Sequence, residues 1–186
     1  SSTPPVFALQ KATRSIPIVA IAVTDPVGNG LAASLSRPGA NITGLANLFD
    51  DVAPKQFELL KAIVPALSRT AVLLNKSNRT YPSILDRYLA AARQVGVTTV
   101  LFDANTADGI ERAFIAMPRE RVEALIVVAD SFLAGQRGQI AALALKHELP
   151  SMAPFVEDAL AGALMSYGAN IADIFRRGAI YVDKIL

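Results

Sequence analysis

Cysteine and tryptophan are absent, and histidine occurs once in 186 residues. Without cysteine there is no disulfide framework and no thiol chemistry, although the absence does not fix the compartment. With a single histidine, His147, a zinc site of ordinary composition is disfavoured. A Ser-His-Asp triad would have to use that one imidazole, and no G-x-S-x-G elbow accompanies it. No G-x-x-x-x-G-K-[ST] phosphate loop occurs. No apolar run reaches the roughly 20 residues that span a bilayer. The longest, 16–23, is interrupted by Pro17 and is strand-sized. Charge of one sign is also missing: 18 basic against 16 acidic residues leave a net +2. Arg176-Arg177 is the only adjacent basic pair, so there is no clustered face of the kind nucleic acid requires, and no nucleic-acid partner is expected. The opening SSTPPVFALQ has neither a basic n-region nor an apolar h-region. It reads as the interior of a longer protein, with the signal sequence absent.

What is present is apolar. Hydrophobic residues make up 52% of the chain, and mean hydropathy is +0.38. High apolar content without a long run points to buried parallel strands covered by helices. The pattern along the chain agrees. Ser-Ser-Thr before Pro4-Pro5 starts a helix running to about Thr13. Strand 18–23 follows, then a short helix over 29–35 stopped at Arg37-Pro38-Gly39, then a strand or crossover at 42–47. Helices are expected at 54–64, 81–95, 107–117, 133–147, 156–160 and 171–186. Strands are expected at 70–74, 97–102, 124–129, 151–153 and 163–166. The last helix sets Ile174, Phe175, Val182 and Ile185 at helical spacing. From Thr70 onward, strand and helix alternate, which implies a parallel sheet with helices on both faces.

Ligands of such sheets bind at the carboxyl ends of the strands. The residues to read there are Thr24, Asp25, Asn75, Asp103, Asp130 and Tyr167. Asp130 follows the apolar run ALIVVA directly, and can cap the next helix or meet a ligand. Asn75 and Asn78 also suit a plain turn before a helix. Ser2 and Thr3, with the free N–H groups of the first helix, form an anion-binding arrangement or a simple cap. Gly28-Asn29-Gly30-Leu31-Ala32-Ala33 fits the dinucleotide pattern G-x-G-x-x-A, with Asp50 and Asp51 roughly 20 residues on. Against that reading, Thr24 to Val27 intervene after the strand, the helix breaks early, and no clear strand ends at Asp50. A tight turn is the better account. The neighbouring carboxylates Asp50-Asp51 and Glu157-Asp158 are expected to be solvated. His147 is expected to complement a helix end.

Four stretches carry a resemblance: ATRSIPIVAIAVTDPVGNGLAASLSRPGANITGL, KQFELLKAIVPALSRTAVLLNKSN, ALIVVADSF and ALMSYGANIADIFRRGAIYVDKIL. In this order, over nearly the whole chain, they resemble the ABC transporter substrate-binding family of the leucine/isoleucine/valine-binding-protein-like class. The resemblance implies a type I periplasmic-binding-protein fold: two Rossmann-like α/β lobes of parallel sheet, with lobe 1 incomplete here. Residues 1–46 would form the C-terminal part of lobe 1, 47–166 lobe 2, and 167–186 a crossover and helix returning to lobe 1. It implies a non-enzymatic, cofactor-free solute receptor of a bacterial importer. The solute, an amino acid or similar, would sit between the lobes, with an ABC permease as partner and a periplasmic or membrane-anchored extracytoplasmic location. The class places an amino-acid carboxylate at Ser2 and Thr3. Thr24 and Asp25 share that rim, Asp25 suiting an ammonium, and lobe 2 would contribute Asn47, Asn75, Asp130 and Tyr167. The incomplete lobe 1 would expose apolar faces and strand edges, so self-association is expected. A ligand-sensing domain of a regulator or receptor on the same fold is the alternative. A nucleotide-dependent enzyme using the Gly28 region ranks below both.

Overall fold

The structure, a computed structural model, describes residues 3–23, 25–46, 52–78 and 80–185. The chain divides into two compact units, Ser1–Leu48 with Ala169–Leu186, and Phe49–Gly168.

The second unit is a five-stranded parallel sheet in the order β4-β3-β5-β6-β7, formed by β3 (Arg69–Leu74), β4 (Thr98–Asp103), β5 (Ala124–Val127), β6 (Ser151–Ala153) and β7 (Met165–Ser166). Successive side chains of a strand point to opposite faces, and the apolar runs of β3 and β5 serve both. Val72, Leu74, Ala124 and Ile126 enter one core with Phe57, Leu60, Ile84 and Tyr88. Those four come from helices α2 (Ala53–Ile63) and α3 (Tyr81–Gln94). Ala71, Leu73, Leu125 and Val127 enter the other core with Ile110, Phe114, Met117, Leu133 and Ile140. Those residues come from α4 (Ala107–Ala116), its 3-10 extension Met117–Glu120, α5 (Ser131–Gly135) and α6 (Arg137–Lys146). A strand buried on both faces has no polar alternation, which is why residues 71–74 of β3 and all of β5 read as unbroken apolar runs. A short helix α7 (Val156–Leu160) links β6 to β7.

The first unit contains α1 (Thr3–Ala12), the parallel pair β1 (Ile18–Val23) and β2 (Ile42–Ala46), and α8 (Ile171–Asp183). Val6, Ile18, Ala20, Val23, Leu31 and Ile42 form its core.

Three expectations are corrected. No helix covers 29–35. Instead, Leu31 N–H reaches Pro26 O (2.8 Å) and Gly30 N–H reaches Val27 O (3.0 Å), with Gly30 at φ +67°. These are the paired bonds of a helix-terminating motif, closed by a left-handed glycine after a single turn. The G-x-G-x-x-A run is therefore a turn. A Cβ on Gly28 would overlap the Asp25 carboxylate. The expected helix 133–147 begins earlier, at Ser131, and is broken between Gly135 and Arg137. The last helix, expected over 171–186, ends at Asp183; Phe175 and Val182 on it are exposed, and its buried position is Gly178. Amphipathic spacing showed that this helix has an apolar stripe, not what covers it.

Candidate functional site

The strand order places β3, the first strand of its sheet, between β4 and β5. The connection after β3 runs to α3 on one face and the connection after β5 to α5 on the other, so the crevice outside their carboxyl ends is a topological switch point. The residues that emerge there are Asn75 after β3, Asp103 at the end of β4 and Asp130 after β5.

Asp130 is 7% exposed. It caps α5, its Oδ1 accepting from Phe132 N–H (2.8 Å) and Leu133 N–H (3.1 Å). The same oxygen accepts from Asn75 Nδ2 (3.3 Å), and Oδ2 accepts from Asn78 Nδ2 (2.8 Å). Asn75 Oδ1 in turn accepts from Ser77 N–H (3.0 Å). Asn78 Oδ1 accepts from the Thr80 N–H (3.1 Å) and hydroxyl (2.8 Å). Both amides are thereby fixed in orientation, each with its NH2 toward the carboxylate. Beside them Asp103 Oδ1 accepts from Lys76 N–H (2.8 Å), and Asn105 Nδ2 donates to the Ser77 hydroxyl (3.0 Å).

Four donors already converge on Asp130, so it is a structural hub before it is a ligand group. A carboxylate has about four lone-pair sites and an amide NH2 two donors. Oδ2 thus retains acceptor capacity, and Asn75 and Asn78 each retain an N–H. An edge carrying both a negative acceptor and neutral donors can meet both ends of a zwitterion.

Tyr167 follows β7 and is 41% exposed. Its N–H donates to Ala153 O (3.0 Å), and its carbonyl accepts from Gln56 Nε2 (2.7 Å). Across the same edge, Asp158 of α7 accepts at Oδ2 from Phe155 N–H (3.0 Å) and faces Arg137 Nε at 3.4 Å. Asp158 was expected to be solvated and is buried. Desolvation raises its carboxyl above the ordinary value, outweighing the Phe155 bond and the Arg137 charge.

In the first unit, Asp25 has φ +42°, and its Oδ1 accepts from Gly28 N–H (2.9 Å), tying it to the turn after β1. Thr3 is buried as the first residue of α1. Ser2, Thr24, Asn47, Asp50 and Asp51 lie outside the described residues. His147 ends α6 and packs at 5.8 Å from the Phe114 ring. Among the described residues no cluster of His, Asp and Glu has a metal-binding arrangement.

Of the expected second-unit positions, the structure joins Asn75 to Asp130 and sets Tyr167 at the far end of the same sheet edge. Sequence reasoning passed over Asn78 as turn chemistry. It also passed over Gln56, which is fully buried. The signal for Gln56 was its place four residues before Leu60, on the apolar stripe of α2.

The family model described as "ABC transporter substrate binding protein" matches residues 1–186. The tyrosine-binding protein of Clostridioides difficile (strain R20291) is 26% identical over 185 residues, covering 99% of this chain and 53% of that protein. Among solved structures, a conserved domain protein from Vibrio cholerae matches at TM-score 0.89 with 30% identity, covering 98% of this chain and 61% of that one. An ABC domain in complex with L-Trp from Streptococcus pneumonia matches at TM-score 0.87 with 25% identity and the same coverage. The chain thus spans between about half and three-fifths of the length of these relatives.

Proposed function

The chain belongs to the ABC transporter substrate-binding protein family, and from that premise we propose that the protein is the solute receptor of an ABC importer for an amino acid, with an aromatic side chain as the favoured class. The single observation that carries this reading is the switch-point edge of the second unit. There a buried carboxylate and two oriented amides stand along the same carboxyl-end edge as a partly exposed tyrosine. Asp130 Oδ2 would take the ligand ammonium, Asn75 and Asn78 would offer donors to its polar groups, and Tyr167 would offer a ring face. Offset or edge-to-face aromatic contact is worth about 0.5–1.5 kcal/mol beyond area burial, enough to prefer an aromatic solute over an aliphatic one. The tyrosine-binding and L-Trp-bound relatives support the same class.

Receptors of this family are substrate-binding proteins rather than enzymes. Ser2, Thr3, Thr24 and Asp25 are proposed to supply the other rim, and Asn47 a further contact. An ABC permease would be the partner, and the periplasm or the outer face of the membrane the location. For residues 1–186 alone we propose self-association, through the open edges of the β1–β2 pair and the exposed Phe175, Ile180 and Val182 of α8.

Native mass spectrometry of the full-length protein tests the central reading. Co-purified mass equal to one amino acid, displaced by added L-tyrosine or L-tryptophan, is expected. A co-purified nucleotide that no amino acid displaces would overturn it.

A further inference from the structure

Gln56 and Tyr88 form a polar chain inside an otherwise apolar core. Gln56 is fully buried and Tyr88 nearly so, among Phe57, Leu60, Ile84, Ala91 and Met152. The Tyr88 hydroxyl donates to Gln56 Oε1 (2.8 Å), and Gln56 Nε2 donates to the Tyr167 carbonyl (2.7 Å). Burial pushes the Tyr88 phenol up, so it stays a donor at any physiological pH. With Tyr88 donating, the Gln56 oxygen must face α3 and its NH2 must face outward. A flipped amide would set its oxygen against the Tyr167 carbonyl, which can only accept, and that bond would be lost.

For packing alone, Leu or Met at 56 and Phe at 88 would fill the same space without any polar group to satisfy. Replacing both partners of a buried hydrogen bond by apolar groups is nearly neutral, whereas leaving one unpaired is costly. What the chain of bonds secures is its outer end, the Tyr167 carbonyl. The other side of that residue is held as well. Tyr167 N–H is bonded to Ala153 O, and Gly168 lies so close to the Pro154 carbonyl that any Cβ there would overlap it. The main chain of Tyr167 is thereby fixed at its N–H, its C=O and its following residue. That sets the direction in which its partly exposed side chain leaves the sheet edge.

We infer that Gln56 and Tyr88 are positioning residues for solute selectivity: they hold the Tyr167 main chain so that its ring meets the side chain of an aromatic amino acid. This rests on the proposed contact between Tyr167 and the solute. Neither residue touches the solute itself, and both act through one carbonyl.

The test uses the full-length protein and four variants: Gln56→Met with Tyr88→Phe, Tyr88→Phe alone, Tyr167→Leu, and all three substitutions together. Tyr88→Phe removes a single oxygen and serves if the paired variant does not fold. Calorimetry reads affinity for L-tyrosine, L-tryptophan and L-leucine, and hydrogen exchange reads the Tyr167 amide. In the paired variant we expect faster exchange at Tyr167. We also expect a loss of roughly tenfold in aromatic affinity, with leucine affinity little changed. Tyr88→Phe should show the same pattern more weakly. Tyr167→Leu should show the same selectivity loss, with the paired substitutions adding nothing on top of it. Unchanged exchange at Tyr167, or unchanged selectivity in the paired variant while Tyr167→Leu loses it, overturns the positioning role and leaves the contact standing. Unchanged selectivity in Tyr167→Leu overturns the contact, and the positioning role with it.

Discussion

Replacing Asp130 by asparagine exchanges one carboxylate oxygen for an NH2 group where four donors converge. The cap itself should survive, since Asn and Asp cap helices about equally well. Oδ1 can keep Phe132 N–H, Leu133 N–H and Asn75. The damage falls on the other oxygen. At 2.8 Å from Asn78 Nδ2, the new NH2 faces another NH2. Asn78 cannot turn its oxygen inward without giving up the Thr80 N–H and hydroxyl. One charge-assisted bond is lost, about 2 kcal/mol, which for a protein of this size lowers Tm by about 4–8 °C. A cap that stood alone would lose only a few tenths of a kcal/mol. Exchanging both residues, Asp130→Asn with Asn78→Asp, again opposes a donor to an acceptor and should recover most of the loss. Thermal melts of the four proteins form a double-mutant cycle. A coupling of at least about 1 kcal/mol is expected for groups in one network. A single-variant shift below one degree, or an exchanged pair no more stable than Asp130→Asn, would refute the reasoning.

Two carboxylates give opposite pH signatures. Glu123 accepts from Ser68 N–H (2.6 Å) and Arg69 N–H (3.0 Å), which lower its pKa below 4.5. Its stabilisation is present above that value and lost as pH falls through the folded pKa. Glu123→Gln should therefore destabilise at neutral pH by an amount that shrinks in acid. A pH-independent difference in urea melts would contradict this. Asp158 is raised above 3.8, so its contribution is present below that value and lost as pH rises through the folded pKa. The stability of the parent relative to Asp158→Asn should fall as pH rises from acid toward neutral. A difference that grows with pH would show that the Arg137 pair outweighs burial. Light scattering on residues 1–186 alone should show mass above that of a monomer, increasing with concentration. A clean monomer at high concentration would count against the exposed faces of the first unit as association surfaces.

Much of the fold was legible because its strands are buried on both faces. The runs AVLL and ALIVVA have no polar residue to confuse them with amphipathic helix, and alternation with capped helical segments gave a parallel α/β sheet. Where the reading failed, a local conformation overrode the pattern. The left-handed Gly30 ends after one turn what composition continues as a helix to Leu35. The stripe on α8 reports apolarity but carries no information about its partner. The candidate site was legible at Asn75 and Asp130 as strand-end residues. Nothing in the sequence told that Asn78, three positions on, would turn its amide to the same carboxylate. Gln56 and Tyr88 lie 32 residues apart on different helices, and Gln56 meets Tyr167 across 111 residues. Only the tertiary fold brings such groups together.

The most direct measurement is calorimetric titration of the full-length protein with a panel of amino acids and with NAD. The account predicts saturable binding of an amino acid at micromolar or lower Kd, strongest for those with aromatic side chains, and no heat with NAD. Micromolar NAD binding with no response to any amino acid would contradict it.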